Sequence, residues 1–141
     1  MNLNYTLAEI SEITNGELFG DGNKIIQNVI IDTRLPEISM STVFIALKGA
    51  KSDGHIFCES FAKNGGQLLL VEQKQNISNI SQIVVENTLD ALQKIAAHHR
   101  SQFNIPIIGI TGSNGKTTVK EWLFHVLKYN FQICRSPKSY N

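Results

Sequence analysis

Proline and cysteine are both scarce in this chain, with 3 and 2 among 141 residues. So few prolines beside 10 glycines exclude collagen-like and Pro-rich low-complexity architectures. Cys58 and Cys134 lie far apart, without a CxxC or a His pair at zinc spacing. They read as buried free thiols and not as a disulfide or a metal site. Charge of one sign is missing too: the formal net charge is +1, so nothing in the overall balance points to nucleic acid, and an anionic ligand would need a local site. Long hydrophobic runs are absent. The longest, such as Ile105–Ile110 and Gln67–Val71, fall far short of the roughly 20 residues that a bilayer requires, which excludes a membrane span. The start, Met1 to Thr6, has neither the basic stretch nor the apolar core of a secretory signal, so the expected compartment is the cytosol. The Asn-x-Ser/Thr triplets at Asn4, Asn76 and Asn79 then carry no weight. What remains is ordinary: 42% hydrophobic and 18% charged residues, a globular composition whose length suits one domain, or one domain and a piece of another.

Local patterns predict α/β structure throughout. Thr6 and Glu9 have capping-box spacing, Leu7, Ile10 and Ile13 repeat at helical spacing, and Asn15-Gly16 supplies a left-handed stop, which predicts a helix over 7–14. Glu17–Phe19 and Lys24–Ile31 flank Gly20-Asp21-Gly22 and read as a hairpin or tight strand connection. Thr42–Leu47 is a further strand. Ile56, Phe57, Ser60 and Phe61 form a helical stripe ended by Gly65-Gly66, ahead of a buried strand, Gln67–Val71. After the strand Gln82–Val85, Thr88 is expected to cap a helix carrying Leu89, Leu92, Ile95 and Ala96. Ile105–Ile110 reads as a buried strand, Thr111–Lys116 as a loop, Thr117–Lys128 as a helix, and Phe131–Cys134 as the start of another strand.

The expected boundary lies near Asn104. Residues 1–104 carry their own alternating elements, a small N-terminal α/β domain. Residues 105–141 are the first β-loop-α-β unit of a P-loop parallel-sheet domain, cut short, because one such unit cannot cover both faces of a parallel sheet.

The segment Gly109-Ile110-Thr111-Gly112-Ser113-Asn114-Gly115-Lys116-Thr117-Thr118 lies between the expected strand and helix, the context that makes a phosphate loop credible. Glycines let successive N–H groups turn into one concavity, and the helix N-terminus adds partial positive charge. Lys116 would reach the terminal phosphates of ATP, and the Thr117 hydroxyl would complete the shell of a bridging Mg²⁺. The pattern departs from the general P-loop at one place: Ile110 stands where the first glycine is expected.

That displaced glycine resembles the ATP loop of the Mur ligase and folylpolyglutamate synthetase superfamily. The continuation Val119-Lys120-Glu121 is similar to the members that join D-alanyl-D-alanine to UDP-N-acetylmuramoyl-tripeptide. A second resemblance runs through Ile31-Asp32-Thr33-Arg34, then Val43 to Gly49, then Asp53-Gly54-His55-Ile56-Phe57 and a terminating Gly65-Gly66, a series that in these ligases marks the domain holding the UDP part of the substrate. The resemblance implies that residues 1–104 bind the UDP substrate through Thr33, Arg34, Lys48, Gly49, Asp53 and His55. It likewise implies that 105–141 begin the ATP-binding domain, with Lys116 catalytic, Thr111 to Thr118 holding phosphate and Thr117 holding Mg²⁺. Asp32, Arg34 and Asp53 can equally form internal salt bridges, and Asp53-Gly54 can simply shape a turn. Arg135 to Asn141 resembles a further substrate segment in which Asn141 matches and Ser139 departs; it is similar to variants fused ahead of an alanine racemase domain.

Three functions stay open: an ATP-dependent amide ligase of which this is the N-terminal part and which this length alone would leave inactive; a nucleotide-binding module without chemistry; and an unrelated P-loop NTPase. Within the first, the neighbouring ligase that adds the third peptide residue is the alternative. His98 and His99 are adjacent on a helix, so their side chains diverge by about 100° and do not form a helical metal pair. Trp122 and His125 read as packing or surface residues.

Overall fold

In the computed structural model, which describes residues 3–34, 38–49 and 52–136, helix and strand starts follow local chemistry. A short strand β1 (Tyr5–Thr6) leads into helix α1 (Leu7–Thr14). The capping box is formed in full: Thr6 Oγ1 accepts from the Glu9 N–H at 3.2 Å and Glu9 Oε2 accepts from the Thr6 N–H at 2.6 Å. Asn15, at φ 56°, supplies the left-handed stop. Then come β2 (Glu17–Phe19), β3 (Ile25–Ile26), β4 (Asn28–Ile30) and β5 (Thr42–Ile45), a 3₁₀ turn at Gly54–Phe57, α2 (Cys58–Lys63), β6 (Leu68–Val71), β7 (Ser81–Val84), α3 (Thr88–Ser101) and α4 (Lys116–Leu127). The chain divides into two compact units, Met1–Phe103 and Asn104–Asn141.

The first unit is built on a five-stranded sheet in the order β2-β7-β6-β5-β4, in which β4 to β7 run parallel and β2 pairs antiparallel with β7. β1 and β3 form a separate antiparallel pair. Both faces of the sheet are covered, which is why β5 and β6 read as unbroken apolar runs. Val43, Ile45, Leu68, Leu70 and Ile83 pack with Leu7 and Ile10 of α1 and Ala91 and Ile95 of α3. On the other face Phe44, Ala46, Leu69 and Val71 pack with Cys58 and Phe61 of α2, with the Phe44 and Phe61 rings 5.4 Å apart. Burying a side chain such as Phe61 in full is worth about 1.5–3 kcal/mol.

Several local expectations are corrected. No hairpin joins β2 to β3, because each finds its partner elsewhere in the chain. Asn87, not Thr88, caps α3: its Oδ1 accepts from the N–H groups of Leu89 at 2.9 Å and Asp90 at 3.0 Å, while Thr88 is buried one position later. The buried stripe of α2 is Cys58 and Phe61, because a 3₁₀ start turns Ile56 and Phe57 outward.

In the second unit the expected strands at Ile105–Ile110 and Phe131–Cys134 are not formed. Residues 103–112 and 132–136 carry no helix or strand, and Ile105, Ile107 and Ile108 are exposed. The physical reason is that a strand exists only against a partner, and the described residues of this unit offer none. Both cysteines are free, but Cys134 is exposed and only Cys58 is buried.

Candidate functional site

The parallel strands β4 to β7 bring their carboxyl ends to one edge of the sheet, the edge at which open α/β sheets hold ligands. Thr33 and Arg34 follow β4, while Lys48, Gly49, Asp53 and His55 follow β5. These two strands are neighbours, with Ile30 opposite Phe44, so the two loops leave the sheet side by side.

Arg34 turns onto Asp32. Its Nε donates to Oδ1 at 2.9 Å, its Nη2 to Oδ2 at 2.6 Å and its backbone N–H to Oδ1 at 3.0 Å. These bonds hold the Asp32 carboxyl down at about 2. The Arg34 side chain is 88% exposed, so it is oriented by its partner and still reachable from solvent.

After β5, Lys48 and Asp53 bridge across a reversal in which the Gly49 N–H donates to the Ser52 carbonyl at 2.9 Å and the Gly54 N–H to the Leu47 carbonyl at 2.8 Å. A Cβ at Gly54 would stand 2.8 Å from that same Leu47 oxygen, so this close return admits only glycine. Asp53 Oδ1 accepts from the His55 N–H at 3.0 Å and from the His55 ring at 2.5 Å. These two bonds, the backbone one first, lower the Asp53 pKa. The buried Cys58 thiol is pushed up to about 11 by burial, with the Asp53 charge adding to it.

In the second unit the glycine-rich loop leads directly into α4. Gly115 is the N-cap at φ 78°, a left-handed position that suits glycine, and it offers no side chain to the first N–H groups of the helix. Lys116 is half-buried and its ammonium donates to the Gly112 carbonyl at 2.7 Å, which holds the cation over the loop. Thr111, Gly112, Ser113, Asn114, Thr117 and Thr118 are exposed around it. On the next turn Lys120 Nζ reaches the Ser136 carbonyl at 3.1 Å and Glu121 Oε1 at 3.3 Å, Glu121 pairs with Arg135, and the Arg135 guanidinium lies 4.0 Å from the Phe124 ring centre. Asn141, expected to contact substrate, and Ser139 lie outside the described residues.

One participant escaped sequence reasoning. Glu72 Oε1 accepts from the Thr88 N–H at 3.1 Å and the Thr88 hydroxyl at 3.2 Å, and that hydroxyl also reaches the Ala46 carbonyl at 3.1 Å. Glu72 directly follows an apolar strand, and that position at a carboxyl end is the only signal that could have singled it out.

No protein-family model matches the chain. It is 39% identical over 132 residues to the UDP-N-acetylmuramoyl-tripeptide–D-alanyl-D-alanine ligase of Buchnera aphidicola subsp. Baizongia pistaciae, which covers 89% of this chain and 28% of that enzyme. Among solved structures it is similar to MurF from Acinetobacter baumannii, with a TM-score of 0.83 and 32% identity over 92% of this chain and 28% of that one. The chain belongs to the Mur ligase family. A further Mur ligase, MurF from Thermotoga maritima solved in complex with ADP, matches with a TM-score of 0.69 and 32% identity over 81% of this chain and 26% of that one. The chain therefore spans under a third of the length of the Mur ligases it matches.

Proposed function

We propose that this chain is the N-terminal part of an ATP-dependent ligase that adds D-alanyl-D-alanine to UDP-N-acetylmuramoyl-tripeptide in peptidoglycan synthesis. The observation that carries the reading is Lys116 held over a glycine loop that opens α4, in a chain similar to ligases of that name. In this reading residues 1–104 hold the UDP end of the substrate, and residues 105–141 begin the ATP-binding domain of a cytoplasmic enzyme. Val119-Lys120-Glu121 favours this ligase over the one that adds the third peptide residue.

The chemistry asks for a better leaving group than a carboxylate oxygen. The carboxylate attacks the γ-phosphorus of ATP, the bond to the β-phosphate oxygen breaks, and ADP departs. The amine of D-alanyl-D-alanine then attacks the acyl carbon, phosphate leaves with the former carboxylate oxygen, and the amine gives up a proton. Charge gathers on the phosphoryl oxygens during the first step. Lys116 and the N–H groups at the start of α4 are suited to neutralise it. Thr117, at the second position of α4, supplies a hydroxyl of the kind that would hold Mg²⁺; such an ion, when bound, would add positive charge that favours phosphoryl transfer.

The test uses the full-length protein. Phosphate release should need both UDP-linked tripeptide and D-alanyl-D-alanine, and Lys116→Ala should lower it by at least ~100-fold, the scale of losing one charge-stabilising donor. Equal ATP turnover without either substrate would overturn the reading in favour of an unrelated P-loop NTPase.

A further inference from the structure

His55 uses both of its ring nitrogens inside the protein. Nε2 accepts a hydrogen bond from the Glu72 N–H at 2.9 Å, and the side chain is 15% exposed. A backbone N–H can only donate, so Nε2 carries no hydrogen and Nδ1 does. Nδ1–H then donates to Asp53 Oδ1 at 2.5 Å. The ring thereby ties the chain after β5 to the first residue after β6. Through the Glu72 carboxylate and Thr88 the same polar chain continues to α3 and returns to Ala46 at the end of β5.

We propose that His55 is a positioning residue: fixed as its Nδ1–H tautomer between the Asp53 carboxylate and the Glu72 backbone, it sets the Lys48–Asp53 reversal that faces the nucleotide, and does not touch the nucleotide itself. This rests on the reading of that sheet edge as the uridine-nucleotide site. A ligand contact through either nitrogen would leave a half-buried carboxylate or N–H without its partner, which is costly. Asp53 is the link to the loop, since its carboxylate accepts from the ring and its backbone pairs with that of Lys48. Histidine suits the place because a rigid ring offers a donor on one side and an acceptor on the other. Asn can mimic only the near nitrogen and Gln only the far one.

The experiment has two arms. In the first, long-range proton–nitrogen spectra of the 141-residue chain are recorded with and without UDP. A protonated Nδ1 and bare Nε2 are expected, and the ring shifts should stay put while backbone amides of Lys48 and Gly49 move. An Nε2–H tautomer, or ring nitrogens that shift as strongly as those amides, would overturn the proposal. In the second, UDP is titrated into the full-length protein and its His55→Gln variant. The variant should bind UDP roughly tenfold more weakly, as expected for losing one such hydrogen bond, with the loss showing in KM for the UDP substrate more than in kcat. Equal UDP affinity in the two proteins overturns the positioning role alone, whereas no UDP binding by the wild-type protein overturns the nucleotide reading and the role with it. Should His55→Gln fail to fold, the first arm still decides.

Discussion

Asp32 and Arg34 stand two residues apart after β4, and either could have faced a ligand or the other. Sequence left both open, because a Thr-Arg dipeptide gives no sign of how a neighbouring carboxylate is turned. In the structure the carboxylate takes both N–H groups along one edge of the guanidinium, so the arginine arrives at the sheet edge already oriented. The sign of the pH effect follows. A depressed carboxyl pKa means that whatever the pair contributes to stability is present above the ordinary aspartate value near 4 and is lost as pH falls through about 2. Arg34→Ala should raise the Asp32 titration toward 4, read from its side-chain carboxyl carbon by NMR, while the backbone N–H of residue 34 keeps part of the depression. An unmoved midpoint would show that the side-chain bonds from Arg34 are not its cause. His55 makes the opposite case. Asp53-Gly54-His55 was legible as a loop motif, but the second partner that fixes the ring is Glu72, 17 residues further on, and no local pattern reports it.

Among the elements, those with strong local chemistry were the legible ones. The capping box of α1 and the apolar run of β6 each name their own structure. The hairpin expected around Gly20-Asp21-Gly22 failed because β2 draws its partner, β7, from more than 60 residues away, a choice that turn residues do not encode. Ile105–Ile110 failed for a related reason: a buried-strand pattern states what a segment needs, and pairing in the described residues does not supply it. The same shortage governs α4. None of its residues is buried, and Val119, Trp122 and Val126 lie in solvent. Helices of this length draw most of their stability from packing. Amides of α4 should therefore exchange with solvent at least ~100-fold faster than the most protected amides of α3, which packs Ala91 and Ile95 against the sheet. Comparable protection in the two helices, measured by hydrogen exchange on the 141-residue chain, would contradict this account of how α4 is held.

At the scale of the molecule, all the fully buried apolar side chains among the described residues belong to one unit. Both core clusters are drawn from residues 7–95, one on each face of the five-stranded sheet. The polar chain through Asp53, His55, Glu72 and Thr88 lies in the same unit. A unit that owns both sides of its sheet has what folding needs, since burial on both faces is the main term opposing chain entropy. The site at the carboxyl ends of β4 and β5 should then form whether or not the phosphate loop is attached. A chain ending at Phe103 is expected to give amide resonances that overlay those of the same residues in the 141-residue chain. Its urea midpoint should match that of the first unit in the longer chain, with the same slope, because the surface exposed on unfolding is its own. A collapse of spectral dispersion, or a clearly smaller slope, would mean that residues beyond Phe103 complete a core that the first unit already holds by itself in this structure.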